Sequence, residues 1–506
     1  MREFTPDRRV RGGVRIAAHK QTSTRQAIRR GLIPRQLILG LQQHQGSAAI
    51  PIVEPGQSVL KGQTIAHSDS LRSADVHAST SGRVRCIEER LIPAAHEVHR
   101  SLCIVIDTDG QDQAMTTRAD WPDDRVERLA RIRDAGIVGL GGAVFPTADK
   151  LSSHLPCRAL IVNAAECEPY ISCDDMLMRE SAREIVLGAK MLRELLAAEE
   201  CIIAIEEDKS EAIDAIMQAG RDLEDESIKL AEIPAIYPSG GERQLVELLL
   251  GIEVPSTHYP SMHGYICQNV GTVFALQRLV STGEPLTRRI VTVTGDGIAA
   301  PQNVEVLLGT PISELIEFCG GYGNDVSRLV LGGSMMGYAL PSDELPITKA
   351  SNCIIAAASA EVRHDSREWP CIRCGDCGSA CPARLLPQEL LRAARSRDHP
   401  QLSELGLEDC IECGCCDVVC PSHIPLTEEF RRAKYAHARY ERQLVFSAES
   451  EQRFQRRGQR QQDQARESAE FQDQLKQNLS EDPDARERAI RAAVARARQR
   501  REQDEQ

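Results

Sequence analysis

Two cysteine runs constrain this chain more than any other feature. Cys371, Cys374, Cys377 and Cys381, with Pro382 next, have the spacing C-x2-C-x2-C-x3-C-P, and Cys410, Cys413, Cys416, Cys420 and Pro421 repeat it. That spacing is the ligand run of paired [4Fe–4S] clusters. Three closely spaced thiolates can wrap one face of a cubane, while the proline-tagged fourth leaves along a helix to the other cluster. The expected ligand sets are therefore Cys371, Cys374 and Cys377 with Cys420, and Cys410, Cys413 and Cys416 with Cys381. A disulfide framework belongs to small secreted chains. Zinc sites built from cysteine pairs leave the two x3-C-P cysteines unexplained. Cys415 fits no ligand position and reads as a small buried neighbour of the cluster.

At 506 residues the chain exceeds a single hydrophobic core, so several domains are expected. A formal net charge of −13, with no interleaving of basic and aromatic residues, argues against a nucleic-acid partner. The opening MREFTPDRRVRGGVRI has no apolar signal segment, and no run approaches the ~18 apolar residues of a membrane span. Eighteen cysteines, at least eight of them needed as thiolates, suit a reducing cytoplasm.

Residues 1–115 read as short strands with turns at Pro55-Gly56, Lys61-Gly62 and Ser81-Gly82. They resemble the barrel-sandwich hybrid of biotinyl and lipoyl carriers. The segment Asp75-Val76-His77-Ala78 lacks the lysine a carrier needs, so a structural or docking module is expected, with His77 a satisfied turn residue. The arm before it, from Gln21 to Gly46, carries no assignable chemistry. Next, VERLARIRDAGIVGLGGAVFPTADKL predicts a helix ending at Gly136, a glycine loop and a second helix. Loop amides ahead of a helix N-terminus suit a phosphate. Alone the loop matches neither G-x-G-x-x-G nor a P-loop, and a simple turn stays open. The stretch from Cys173 to Asp208 alternates helix and apolar strand, as in a doubly wound α/β domain. Cys167 and Cys173 read as packing residues.

Four stretches together are more specific: Gly139-Leu140-Gly141-Gly142-Ala143-Val144-Phe145-Pro146-Thr147 with Lys150; Asn163-Ala164-Ala165-Glu166-Cys167-Glu168-Pro169; Gly240-Gly241-Glu242; and Asn269 to Thr272. In that order they resemble motifs of the NADH- and FMN-binding subunit of respiratory complex I and of related diaphorases. Over about residues 10–435 the chain is most similar to the RnfC/RsxC family of Rnf-type electron transport complexes. The resemblance implies that Gly139, Gly141 and Lys150 hold the FMN phosphate. It implies that Asn163, Glu166, Glu242, Asn269 and Thr272 line the flavin, that Phe145 stacks on NADH and that Glu168 binds it. Four positions depart from the complex I pattern: Leu140 replaces an arginine, Val144 a glycine, and Ala165 and Gly241 acidic residues. A branched residue at 144 disfavours positive φ and narrows the loop.

Arg288 to Gly323 resembles the β-grasp (SLBB-like) segment of the complex I flavoprotein and reads as a spacer. LVLGGSMMGYAL reads as a close-packed strand turn. From 441 onwards the chain is rich in Gln, Arg, Glu and Ala without an apolar stripe, a solvated helix or disordered segment. The expected fold is multidomain α+β: a barrel-sandwich hybrid (1–115), a Rossmann-like α/β flavoprotein domain (120–285), a β-grasp segment (286–345), an α-helical double [4Fe–4S] ferredoxin domain (346–440) and a charged tail (441–506). The resemblance implies a peripheral subunit on the cytoplasmic side of the bacterial inner membrane. It would pass electrons between NADH, through FMN and two [4Fe–4S] clusters, and ferredoxin or membrane subunits, coupled to ion translocation. A soluble diaphorase-type oxidoreductase subunit and a two-cluster relay that binds no nucleotide are the alternatives.

Overall fold

The computed structural model describes residues 1–6, 10–68, 70, 72–117, 119–152, 156–224, 226–323, 325–362, 367–481 and 483–504. They form two units, residues 1–431 and 432–506.

The chain begins with β1 (Arg2–Phe4), which pairs in parallel with a strand of the α/β domain rather than with the barrel. The barrel-sandwich hybrid holds β2 (Gln36–Gly40), β3 (Ile50–Pro51), β4 (Ser58–Val59), β5 (Thr64–His67), β6 (Val76–His77), β7 (Gly82–Pro93) and β8 (Val98–Thr108). Its sheets have the orders β2-β8-β7-β4 and β3-β5-β6. Cross-strand pairs Leu37–Ile106 and Leu39–Ile104 are buried and fix the register, because a one-residue slip would turn them to solvent.

The hairpin tip that bears the lysine in carrier domains is buried here. Lys349, from the β-grasp region, donates to the carbonyls of Asp75 (3.2 Å) and Gly136 (2.7 Å) and ties the tip to the start of the glycine loop. Burial lowers the Lys349 ammonium to about 8, against the pull of Asp75. Burial, then the Lys349 charge, holds His77 down at about 3 and His44 at about 4. The expectation of a turn histidine is corrected: His77 lies in β6 rather than in a turn; its ring engages the Asp134 backbone in a hydrogen bond, while its Nδ1 is buried with no hydrogen-bond partner.

The α/β domain follows with α1 (Arg125–Asp134), α2 (Thr147–Leu151), β9 (Ala159–Ala164), α3 (Cys173–Leu196), β10 (Glu200–Glu206), α4 (Ser210–Asp222), β11 (Ile228–Ile233), α5 (Glu242–Leu250), β12 (Tyr265–Asn269) and α6 (Val270–Thr282). The parallel sheet has the order β1-β11-β10-β9-β12. Its strands are near-continuous apolar runs because helices cover both faces. In β10, Ile202, Ile203 and Ile205 are fully buried, each contributing about 1.5–3 kcal/mol. α3 crosses α6 at Gly188, where an added Cβ would lie 2.7 Å from the Val273 carbonyl oxygen.

The β-grasp region has β13 (Arg288–Thr294), β14 (Gln302–Leu307), α7 (Ile312–Phe318), β15 (Val326–Leu331), β16 (Tyr338–Ala339) and β17 (Cys353–Ala358), ordered β14-β13-β17-β15-β16 with α7 on its core. The cysteine lobe holds α8 (Asp376–Ala380), α9 (Pro387–Ser396), α10 (His399–Glu404) and α11 (Cys415–Val418). From it starts α12 (Leu426–Glu481), followed by α13 (Pro483–Asp504). In the second unit Leu444, Val445, Phe446, Phe454, Phe471 and Leu475 are exposed apolar residues on a mostly polar helix. Among the described residues no helix is long and apolar enough to cross a membrane.

Candidate redox site

Winding decides where a ligand can sit. From β9 the chain moves outward through β10 and β11, then returns to place β12 on the opposite side of β9. A crevice opens at the carboxyl ends of strands where winding reverses. Asn163, next to the last residue of β9, and Asn269, the last of β12, lie there and are register partners. Asn163 donates to the Gly240 carbonyl (2.9 Å) and accepts from the Ala165 amide (3.1 Å). Asn269 accepts from the Gly271 amide (2.9 Å), capping α6, and donates to Asp174 (2.6 Å).

The glycine loop lies over this pair. Gly139 donates to the Phe145 carbonyl (2.8 Å), and the Leu140 amide donates to the buried Thr272 hydroxyl (2.8 Å). A Cβ on Gly141 would come within 3.2 Å of the Asn269 side chain. Among the described residues the amides of Gly141, Gly142 and Ala143 have no protein acceptor. Successive free N–H groups in such a loop suit an anionic group such as a flavin phosphate. Lys150 on α2 reaches the Glu242 carboxylate at the start of α5, 3.0 Å away. Phe145 sits at the rim, partly exposed. Val144 does adopt positive φ, +44°, and is buried. Burial of its side chain and acceptance of the Gln45 amide by its carbonyl hold it there. Where the complex I pattern has an arginine, the Leu140 carbonyl accepts from buried Arg289 of β13 (3.1 Å).

Two of the expected ligand residues are committed to the scaffold. Glu166 accepts from the amides of Asp174 (2.8 Å) and Asp175 (3.3 Å) at the start of α3. Burial lifts its carboxyl to about 7, against the pull of Lys20. Lys20 donates to the Glu166 carbonyl oxygen and stands 3.8 Å from its carboxylate. Glu168 accepts from the amides of Met335 (2.7 Å) and Met336 (2.9 Å), pinning the β-grasp turn, and burial raises its pKa. Ligand atoms of Glu166, Cys173 and Asp174 lie within 4.8 Å of one another, but helix amides and Asn269 engage the carboxylates, so the group reads as scaffold.

The two cysteine runs share one backbone path. Arg373 and Glu412 have φ of +57° and +55°, Gly375 and Gly414 of +89° and +77°, and Arg384 and His423 of +57° and +51°. α8 and α11 follow at equivalent points. Cys381, Cys410, Cys413 and Cys416 line one cavity, closed by Leu390 and Phe430. The Leu385 amide donates to Cys381 Sγ (3.4 Å), the type of bond that supports a thiolate ligand. This donor set fits an iron–sulfur cluster. Beside the other run, the Trp369 amide donates to the Ser422 carbonyl (2.9 Å) and Ser422 Oγ to the Pro370 carbonyl (2.9 Å), placing the stretch before Cys371 against the segment after Cys420.

Tyr237 joins lobe and crevice. Its buried hydroxyl donates to the Cys413 carbonyl (2.7 Å), and its own carbonyl accepts from Val14 (2.8 Å) with Cys415 Sγ 3.9 Å away. Three residues further on, Gly240 is bonded to Asn163. Lys20, Asp174, Tyr237 and Arg289 were not foreseen from the sequence. The one usable signal was Tyr237, which directly precedes the Pro-Ser-Gly-Gly-Glu stretch.

Four family descriptions match consecutive stretches: the RnfC barrel sandwich hybrid domain (8–111), the Nuo51 FMN-binding domain (132–278), the SLBB domain (290–339) and the 4Fe-4S dicluster domain (361–424). The chain is 46% identical over 453 residues to the C subunit of the ion-translocating oxidoreductase complex of Pseudomonas aeruginosa, covering 88% of this chain and 58% of the relative. It is 44% identical over 406 residues to that of Vibrio cholerae (79% and 52%). With that of Yersinia pestis it is 42% identical over 491 residues, 96% of this chain and 78% of the relative. The chain belongs to this RnfC family. It spans 52–58% of the length of the first four such relatives. The family matches bear out the expected architecture, from barrel-sandwich hybrid to dicluster lobe.

Proposed function

We propose that the chain is the electron-transfer subunit of an ion-translocating oxidoreductase complex, passing electrons between NADH and ferredoxin or membrane subunits. It would act peripherally on the cytoplasmic side of the inner membrane. The domain limits 1–115, 120–285, 286–345, 346–440 and 441–506 belong to the same proposal. The observation that carries it is Tyr237, which bonds the cysteine cavity to the loop that holds Asn163.

When bound, FMN would exchange a hydride with nicotinamide and the two [4Fe–4S] clusters would carry single electrons. Lys150 and the amides of Gly141, Gly142 and Ala143 would neutralise the flavin phosphate. Asn163, Asn269 and Thr272 would orient the ring system, with Gly139 and Glu242 completing the walls. Glu166 would act through α3, and Glu168 through the Met335–Met336 turn. Phe145 would offer its ring to the nucleotide.

The test is anaerobic reconstitution followed by flavin extraction and an NADH titration in the visible. About one FMN per chain, with flavin and cluster absorbance bleaching together, supports the reading. Iron at about eight atoms per chain without flavin, and no response to NADH, leaves a two-cluster relay instead.

A further inference from the structure

The glycine loop is held from behind by cations of the β-grasp region. Lys349 donates to the Gly136 carbonyl (2.7 Å), where the loop begins. Arg289 of β13 donates to the Leu140 carbonyl (3.1 Å) and to the carbonyl of Lys349 itself, which joins the two clamps. Both side chains are buried. The neighbouring arginines are occupied elsewhere: Arg278 and Arg288 are each paired with Glu284 and Glu305. Arg289 makes no ion pair among the described residues. Asp174 is near enough to act on its charge, but the Asp174 carboxylate accepts from Asn269 (2.6 Å). The guanidinium gives its hydrogen bonds to backbone carbonyls instead.

The bond to Leu140 has a geometric consequence. The Leu140 carbonyl and the Gly141 N–H are the two ends of one peptide unit, which is planar and trans, so they point in opposite directions. With the carbonyl turned to Arg289, the Gly141 N–H is turned away from it. Gly141 lies against the Asn269 side chain of the crevice. The Leu140 N–H is fixed as well, by the Thr272 hydroxyl (2.8 Å). Leu140 is thus held through both of its backbone polar groups. The Gly141 N–H, like those of Gly142 and Ala143, has no protein acceptor among the described residues and is left to a ligand. Without Arg289 the permissive backbone of Gly141 would let this peptide flip and offer an anion a carbonyl oxygen. A guanidinium on the carbonyl also polarises the unit and makes its N–H a stronger donor.

We infer that Arg289 is a positioning residue for anion binding: by holding the Leu140 carbonyl it aims the Gly141 N–H at the phosphate of a bound flavin. The inference rests on the proposed flavin site and deepens it. It gives the β-grasp segment a part in ligand recognition beyond that of a spacer. It also separates two halves of that recognition. The phosphate depends on Arg289 through the loop, whereas the ring system meets Asn163 and Asn269, which Arg289 does not touch.

The experiment titrates the full chain, with reconstituted clusters, with FMN and with riboflavin, which has the same ring and ribityl chain but no phosphate. Flavin fluorescence reads both affinities. The unaltered chain should prefer FMN. Arg289→Gln keeps a short amide donor and loses charge and reach; it should lower that preference about tenfold, with riboflavin affinity unchanged. Arg289→Lys keeps the charge without the fork and should fall between. Arg288→Gln removes a neighbouring charge already paired with Glu284 and Glu305, and should leave the preference as it was. Thermal unfolding and cluster spectra show which variants are folded; if Arg289→Gln is not, Arg289→Lys decides. Loss of FMN and riboflavin affinity by the same factor would make Arg289 a structural support only and overturn the inference. An unaltered chain without preference for FMN, or an unchanged preference in the Arg289 variants, overturns it too. A chain that binds neither flavin defeats the proposed function itself, so the two failures are told apart.

Discussion

The crevice and the cysteine lobe solve the problem of holding a ligand in opposite ways. In the crevice the polar side chains assigned to ligands already have protein partners: Lys150 has Glu242, Asn163 has Gly240, Asn269 has Asp174, and Thr272 has Leu140. Among the described residues the backbone amides of Gly141, Gly142 and Ala143 stay uncommitted, as do the buried Thr147 hydroxyl and Gln268 side-chain nitrogen. In the lobe five cysteines line one cavity, four of them at expected ligand positions. The reason is the energetics of leaving a group unpaired. A buried amide or carboxylate without a partner costs about 1–3 kcal/mol or more, whereas a thiol is a weak hydrogen-bonding group and tolerates apolar walls. A polar ligand must therefore exchange partners in the crevice, while a cluster would find the lobe's thiols uncommitted.

That difference predicts its largest effect in the lobe. Cys413→Ser should abolish one cluster, halving the iron per chain, and lower the thermal midpoint. Cys371→Ser should also halve the iron but cost less stability, because Cys371 is exposed while Cys413 packs against Val14 and Tyr237. Iron assay and thermal unfolding on both variants check this; equal stability losses would refute the burial contrast.

Acid titration sharpens the crevice side. His77 and His44 behind the glycine loop have depressed pKa values, about 3 and about 4. The unfolded chain binds protons first, so their contribution is whole above about pH 6.5 and is lost as pH falls. At pH 5 the loss for His77 is about 2 kcal/mol. Glu166 has the opposite sign: raised to about 7, its contribution is present below its ordinary carboxylate value and is lost as pH rises towards 7. The two slopes oppose each other between about pH 4.5 and 6.5. His44→Gln with His77→Gln should leave a protein whose urea midpoint falls as pH rises through that window. Glu166→Gln should leave one whose midpoint rises. The same slope in both variants would show that these groups do not control acid stability.

A smaller effect is expected at Lys150. Its ion pair with Glu242 is partly exposed and adds at most about 1 kcal/mol to stability. Against a phosphate dianion it makes a charge-assisted bond. Lys150→Met should weaken FMN binding about tenfold, roughly 1.4 kcal/mol, with the thermal midpoint nearly unchanged. Flavin fluorescence titration beside thermal unfolding separates the two.

What could be read from the sequence follows the range over which each signal acts. The cysteine spacing, the glycine loop and the apolar runs of β9 and β10 are local patterns, and each marks its element. Lys20 and Tyr237 act across great sequence distances, on Glu166 and on Cys413. Nothing periodic marks the segment from Val14 to Arg29, yet it bonds in turn to Tyr237, Tyr170, Glu166, Ser172, Glu180 and Asn303. β1 has only three residues, too few for an alternation to show, and finds its place by pairing with β11. Glu168 looked like a ligand because it sits in a motif; only the fold brings the Met335 and Met336 amides to it.

The smallest effect expected is also the most diagnostic of the loop. Val144 holds φ of +44° with its side chain buried. For a β-branched residue that conformation costs about 1–3 kcal/mol. Burial of the side chain returns about 1.5–3 kcal/mol. Val144→Ala gives up the burial and keeps most of the strain, so it should destabilise by about 1–2 kcal/mol. Val144→Gly gives up the same burial, relieves the strain, and adds about 0.5–1 kcal/mol of backbone entropy cost. Its net change should therefore lie within about 1 kcal/mol of zero, no worse than alanine. The lobe puts unbranched Arg373 and Glu412 at its own left-handed positions, where backbone strain is lower than for valine. Glycine there should gain correspondingly less over alanine. Urea unfolding of the alanine and glycine variants at 144 and 373 measures both differences. If glycine is markedly worse than alanine at 144, the loop is not strained, and the narrowing attributed to Val144 has another origin.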